Sequence, residues 1–285
     1  MRFVETPSGK IATQSFGSAS DPALLLVMGA TASMLGWPEA LCAALVNQGF
    51  HVVRFDHRDT GRSITHPPGE ATYSVEDMAD DVVAIMDAYG FQNATIMGMS
   101  LGGYVAQMVA LDHSQRVNAL VLVSSEPLGW DGPALPHISQ RILDHFGALS
   151  ALDWSDRTAV GEFLLEIDRL SAGTYKTFDE AAARAKIEEV LDRTDSPASM
   201  FNHAMVSTRE DWTGRFRDIS CKVLVVHGAE DPVLPIDNGQ ALAEGIVGAR
   251  FMVLDRVGHE IPDDLAPQIA ESVARHVRRT VQDLG

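Results

Sequence analysis

Apolar residues in this chain fall into two alternating patterns. Short unbroken runs such as Leu24-Leu25-Leu26-Val27, Leu120-Val121-Leu122-Val123 and Val223-Leu224-Val225-Val226 are separated by longer stretches in which apolar positions recur at helical spacing. A run that is apolar on both sides of the pleat reads as a strand covered on both faces, and the helical stretches read as the crossovers that cover it. This pattern predicts strands over 24–28, 52–56, 94–97, 120–124, 223–227 and 251–254. It predicts helices near 38–48, 75–89, 101–111, 237–244 and 262–279, with Pro38 in the first turn of its helix, where no amide bond is lost. Two leading strands, Phe3 to Glu5 and Ile11 to Phe16, are expected to pair antiparallel around a Ser8-Gly9 turn. The sum is an α/β chain with a mostly parallel eight-stranded sheet and helices on both faces.

Residues 129–214 break this rhythm, showing helical periodicity without strand-like alternation. They are expected to form an inserted helical cap on a core made of residues 1–128 and 215–285. Helices are predicted near 136–146, 156–169, 178–193 and 197–205, joined by turns at Gly147, Ser171-Ala172-Gly173 and Asp195-Ser196-Pro197. A lid over the carboxyl edge of the sheet would exclude water and choose the substrate. Trp130, His137, Phe146, Trp154 and Met205, with Met28 beneath them, are its candidate substrate-binding residues. Aromatic and methionine side chains pack interiors by default, so each also has a plain core reading.

The candidate chemistry begins at Gly98-Met99-Ser100-Leu101-Gly102, which stands where a predicted strand turns into a predicted helix. This is the context of a nucleophile elbow, in which a strained serine projects its hydroxyl and leaves little room two residues to either side. Two later strands end in loops that carry Glu230-Asp231-Pro232 and Gly258-His259-Glu260, giving the chain order serine, acid, histidine. A serine hydroxyl is a poor nucleophile at neutral pH, so His259 would take its proton and later return it to the leaving group. Asp231 would orient the imidazole, with Glu230 as its close rival. The oxyanion would need two backbone donors, expected at Leu101, directly after the nucleophile, and at Ala30, after the strand ending Val27-Met28-Gly29.

With these motifs in place, the chain resembles the α/β-hydrolase superfamily over nearly its whole length. Its stretches Leu24-Leu-Leu-Val-Met-Gly, Leu35-Gly-Trp-Pro38 and Asp56-His-Arg-Asp-Thr-Gly-Arg-Ser63 are similar to aclacinomycin methylesterase and its relatives. The resemblance implies an α/β-hydrolase fold and hydrolysis of a methyl ester on a polyketide-like compound, without a cofactor. Met28-Gly29 stands for the commoner His-Gly, as in that subgroup, while Ala30 replaces a second glycine. The middle third, which selects the substrate in this superfamily, shows no such correspondence.

Serine rather than aspartate in the elbow disfavours the carboxylate-nucleophile chemistry of dehalogenases and epoxide hydrolases. Lactone, amide or peptide, and carbon–carbon bond hydrolysis stay open, as does a ligand receptor on a hydrolase scaffold, because fold and triad do not separate them. His113, His145, His203 and His276 show no ligand spacing, so no metal is expected. Asp56-His57-Arg58-Asp59 reads as a hydrogen-bonded loop bracing the site, and Ser33 as a loop cap.

The 285 residues are 46% hydrophobic and carry a formal charge of −17. That charge argues against nucleic acid or an anionic membrane as partner and leaves a small-molecule ester, with a homodimer as an open expectation. The acidic run Glu76 to Asp81 is expected to be solvated. No apolar run nears the roughly 20 residues that span a bilayer, and the first residues lack a secretion signal, so a cytoplasmic enzyme with Cys42 and Cys221 reduced is expected.

Overall fold

The computed structural model describes residues 1–7 and 9–278. Ser8 of the expected first turn and Arg279 of the expected last helix lie outside the described residues. Strands β1 (Arg2–Thr6), β2 (Gly9–Phe16), β3 (Ala23–Val27), β4 (His51–Phe55), β5 (Ala94–Met99), β6 (Val117–Val123), β7 (Lys222–Gly228) and β8 (Arg250–Leu254) form one sheet. Its order is β1-β2-β4-β3-β5-β6-β7-β8. The β1–β2 and β2–β4 pairs are antiparallel and the others parallel.

Helices α1 (Glu39–Asn47) and α8 (Ala266–Arg278) pack on one face of the sheet around Leu24, Leu26, Leu41 and Ile269. On the other face, α2 (Val75–Ala88), α3 (Leu101–Asp112) and α7 (Asp237–Gly245) pack around Leu25, Ile96, Val105 and Leu242. Adjacent β3 residues thus serve opposite cores, as the pleat requires, which is why their run is apolar without a break.

Between β6 and β7 the chain forms α4 (Gln140–Phe146), α5 (Arg157–Ser171), α6 (Glu180–Asp192) and a 3₁₀ segment over Pro197–Ala204. Of these, α5 and α6 share a small cluster of their own, Val160, Leu165, Ile187 and Leu191, against which Trp154 and Phe178 pack. The 3₁₀ winding places Ser199 and Asn202 in line, since side chains three apart eclipse. Ser199 Oγ donates to the His66 carbonyl at 2.7 Å, and Asn202 Nδ2 donates to Asp59 at 3.0 Å.

Several local expectations need correction. Pro38 is the N-cap of α1 rather than a residue inside its first turn. Pro136 to Ser139 are not helical; Ser139 is the N-cap of α4. The Glu76–Asp81 run is mostly not solvated. Asp77 closes a capping box with Ser74, Glu76 accepts from Trp212 Nε1 at 2.7 Å, and Asp81 is buried against Arg58 at 2.6 Å. Only Asp80 is exposed. Asp81 sits in register with Met78, Val82 and Ile85 on the buried stripe of α2, so the helical repeat carries it inward and Arg58 offsets its charge.

Candidate active site

The strand order reverses direction at β3, whose neighbours are β4 on one side and β5 on the other. A crevice opens at such a switch point, outside the carboxyl ends of the strands. The loops after β3 and β5 face each other there, and the loops after β7 and β8 reach the same edge.

Ser100 sits directly after β5 as the N-cap of α3, with φ 51° and ψ −123°. That strained backbone, which L-residues rarely adopt, is held by the crowding that demands glycine at its flanks. A Cβ on Gly98 would run into the Gly102 carbonyl, and one on Gly102 into the Val27 carbonyl of the neighbouring strand. The glycines therefore let β5, α3 and β3 close to contact distance around the serine.

Asp231 follows β7, and its two carboxylate oxygens have separate partners. Oδ1 accepts from the Val233 and Leu234 amides, each at 2.9 Å, and Oδ2 accepts from His259 Nδ1 at 2.7 Å. With Nδ1–H donating to the carboxylate, Nε2 carries the free lone pair. Burial works against the ionised carboxylate, yet His259, its hydrogen bond and the Leu234 amide outweigh burial and hold Asp231 below the usual carboxylate range. Glu230 points elsewhere and accepts from the Thr174 amide and hydroxyl at 2.8 and 2.9 Å. Nearby His227 donates from Nε2 to the Leu234 carbonyl at 2.7 Å, and burial pushes its pKa down, so it packs as a neutral ring.

Ser100 and His259 line one cavity of about 470 Å³, together with Met28, Gly29 and Ala30. Among the described residues, His259 is hydrogen-bonded to Asp231 and not to Ser100 Oγ. A second cavity of about 530 Å³ shares Ala30 and Ser100 with the first and is lined also by Leu101, Tyr104, His137 and His203. Neither the Ala30 nor the Leu101 amide donates to a protein acceptor among the described residues. Both therefore stand beside Ser100 as free donors.

The expected substrate-binding residues divide. Met28 borders the first cavity and His137 the second, where His137 pairs with Glu126 at 3.0 Å. Trp130, Phe146, Trp154 and Met205 line neither. The Trp130 ring leans on Phe216, Phe146 and Trp154 pack on Phe201, and Met205 is exposed. The walls contributed by the insertion are instead Ile167 and Asp168 of α5, Phe178, and Lys186 of α6, which sequence reasoning did not single out. Burial raises the Asp168 carboxyl above its usual range, with Lys186 opposing.

A serine on a strained strand-to-helix turn, followed along the sheet by acid and histidine loops, is the arrangement against which known proteins can be compared. A model of the alpha/beta hydrolase fold matches residues 22–264. The chain belongs to the alpha/beta hydrolase fold family. It is similar to rhodomycin D methylesterase DauP of Streptomyces sp. (strain C5), 28% identical over 93% of this chain and 94% of that protein. Rhodomycin D methylesterase DnrP of Streptomyces peucetius is 27% identical over 97% of this chain and 98% of its own. Among solved structures, a hydrolase from Pseudomonas aeruginosa PA01 is 26% identical, covers 98% of both chains and superposes with a TM-score of 0.73. The resemblance read from three short stretches near the front thus extends along this hydrolase from end to end.

Proposed function

We propose that this hydrolase cleaves a carboxylic ester through a serine acyl-enzyme, with a methyl ester of a bulky aromatic or polyketide-like compound as its substrate class. The observation that carries the reading is the 2.7 Å Asp231–His259 pair, whose imidazole residue borders the same cavity as Ser100. His259 Nε2 accepts the Ser100 proton as the hydroxyl oxygen attacks the ester carbonyl, a contact that tightens when substrate enters. Asp231 stabilises the imidazolium without taking its proton. The Ala30 and Leu101 amides receive the negative charge that develops on the carbonyl oxygen. Collapse of the intermediate breaks the bond to the alcohol, which leaves with the proton from His259, and a water repeats the sequence to free the acid.

The helical insertion over 129–214 acts as the cap in this reading, supported by the placement of α5 and α6 residues along the cavity of His259. Two cavities meeting at Ser100 leave room on both sides of the scissile bond. Among the described residues, no helix is long and apolar enough to cross a membrane. Cys42 and Cys221 are free thiols, which suits a reducing compartment such as the cytoplasm.

The test joins a fluorophosphonate probe with p-nitrophenyl ester turnover. Both are expected in the wild type and absent in Ser100→Ala. A wild type that binds esters tightly with neither labelling nor turnover is a receptor, and the reading falls. Purified protein is then offered methyl esters, lactones and amides, with methyl esters of fused-ring aromatics expected to give the highest kcat/KM.

A further inference from the structure

We propose that His203, carried by the insertion, and His57, carried by the loop after β4, clamp the turn after β3 from opposite ends and thereby aim the Ala30 amide at the substrate. The two are positioning residues, and the inference rests on the assignment of Ala30 as an oxyanion donor.

The hydrogen bonds fix the arrangement atom by atom. The Thr31 amide donates to His203 Nδ1 at 3.0 Å, while His203 Nε2 lies 2.8 Å from the Arg58 carbonyl. A carbonyl only accepts, so the proton resides on Nε2 and Nδ1 is the lone pair that holds Thr31. On the near side, His57 Nε2 is 2.9 Å from the Met28 carbonyl and must be its donor. The rings meet edge to face, 5.9 Å apart. Both are buried, and burial pushes both pKa values down, His57 to about 3, so both stay neutral and the required tautomers persist.

The intervening residues need such a clamp. Thr31 has φ 62°, a region unfavourable to a β-branched residue. Gly29 and Ala30 lie outside helix and strand, and the Ala30 amide has no protein partner of its own among the described residues. Left alone, the peptides of this turn could rotate and take the donor out of line. Fixing the Met28 carbonyl before it and the Thr31 amide after it leaves the Ala30 N–H one direction. His203 also borders the cavity that contains Ala30, Ser100 and Leu101. The insertion thus shapes the oxyanion donor as well as covering it.

His203→Asn, His203→Gln and His203→Leu separate this role from simple packing. Asn can place its amide oxygen near the Nδ1 position and still accept from Thr31, whereas Gln reaches the Arg58 carbonyl and Leu does neither. Losing one oxyanion donor costs about 10²- to 10³-fold in kcat. A misaimed donor should cost about 10- to 100-fold in the Leu and Gln variants, with KM within about threefold and the affinity of an aryl trifluoromethyl ketone falling in step with kcat. His203→Asn should recover most of the loss. Independently of activity, the His203 ring nitrogens should show the Nε2–H tautomer by ¹⁵N NMR, and the Thr31 amide proton should move upfield in the Leu variant.

Leu and Gln variants with wild-type kcat, or an Asn variant as impaired as Leu, would overturn the clamp. So would losses that track the thermal midpoint alone. Should Leu fail to fold, the Asn–Gln contrast decides. A wild type that lacks turnover yet shows the expected NMR signature would instead count against the esterase reading and leave the clamp standing.

Discussion

The two faces of the sheet are held by long apolar clusters that run through α1 and α8 on one side and α2, α3 and α7 on the other. The inserted segment is secured differently. Its own cluster has four buried members, and beside the apolar anchor Trp212, which enters the scaffold's core, a set of polar bonds ties it to the scaffold. Arg193 reaches Asp56 at 2.9 Å, the Ser171 carbonyl receives the His259 amide at 2.8 Å, and Ser199, Asn202 and His203 all reach the loop of residues 58–66. Apolar burial tolerates sliding and is insensitive to direction, while hydrogen bonds specify a position. The scaffold buries far more apolar side chains than the insertion's own cluster does, and the seam between the two carries directional bonds that specify position.

The largest expected effect lies on the scaffold side of that seam, in the loops after β7 and β8. Asp231→Asn should lower kcat by about 10⁴-fold, by analogy with loss of the orienting carboxylate in other serine hydrolases. Glu230→Gln, which only loosens the Thr174 contacts, should remain within a few-fold in the same ester assay. Next comes the polar bond inside the scaffold. Asp81→Leu strands the Arg58 guanidinium in the core and should cost about 3–5 kcal/mol in a denaturant titration, a loss large enough to show that the scaffold too depends on one buried ion pair.

A paired cut sharpens the comparison further. Leu25→Ala, in the core beside α2 and α3, should cost about 3–5 kcal/mol, and Leu191→Ala, in the small cluster of the insertion, about 2 kcal/mol. Hydrogen exchange should show Leu191→Ala loosening α5 and α6 without the sheet. Equal losses with global exchange would erase the distinction between the two regions.

A change of pH reads the buried histidines of both regions at once. Burial lowers the pKa values of His57, His203 and His227 below the usual 6.5. The unfolded chain therefore takes up protons that the fold refuses. Stability is complete above about pH 6.5 and declines as pH falls toward the folded values, by up to about 1.4 kcal/mol per pH unit for each ring. Thermal melts from pH 7 to pH 4 should show this slope, and His227→Gln should reduce it.

The centre of the sheet was legible because its strands are largely apolar runs, continuous in β3 and over 119–123 of β6, that a doubly covered sheet explains. Ser100, Asp231 and His259 were legible because each stands just beyond such a run, so topology alone carries them to one edge. The cavity walls were not. Size made Trp130, Phe146 and Trp154 attractive, but the side of a helix that faces a cavity depends on how the inserted helices cross the sheet, and no local period encodes that. Ile167 and Lys186 come from helices that were expected, on faces that could not be chosen. Asp81 is a different case: its spacing from Met78 and Ile85 placed it on the buried stripe, and the sign of its charge obscured that signal.

Asp56 has a consequence for engineering. Its carboxylate is fully enclosed and divides itself between the Met34 amide, the Arg62 amide and Arg193 of the insertion. A chimera that exchanges this insertion for another would leave the Asp56 carboxylate walled in without its cation, directly behind the segment that leads from β3 into α1. Any donor cassette must therefore bring a guanidinium to the same spot, or the recipient must change Asp56 along with it.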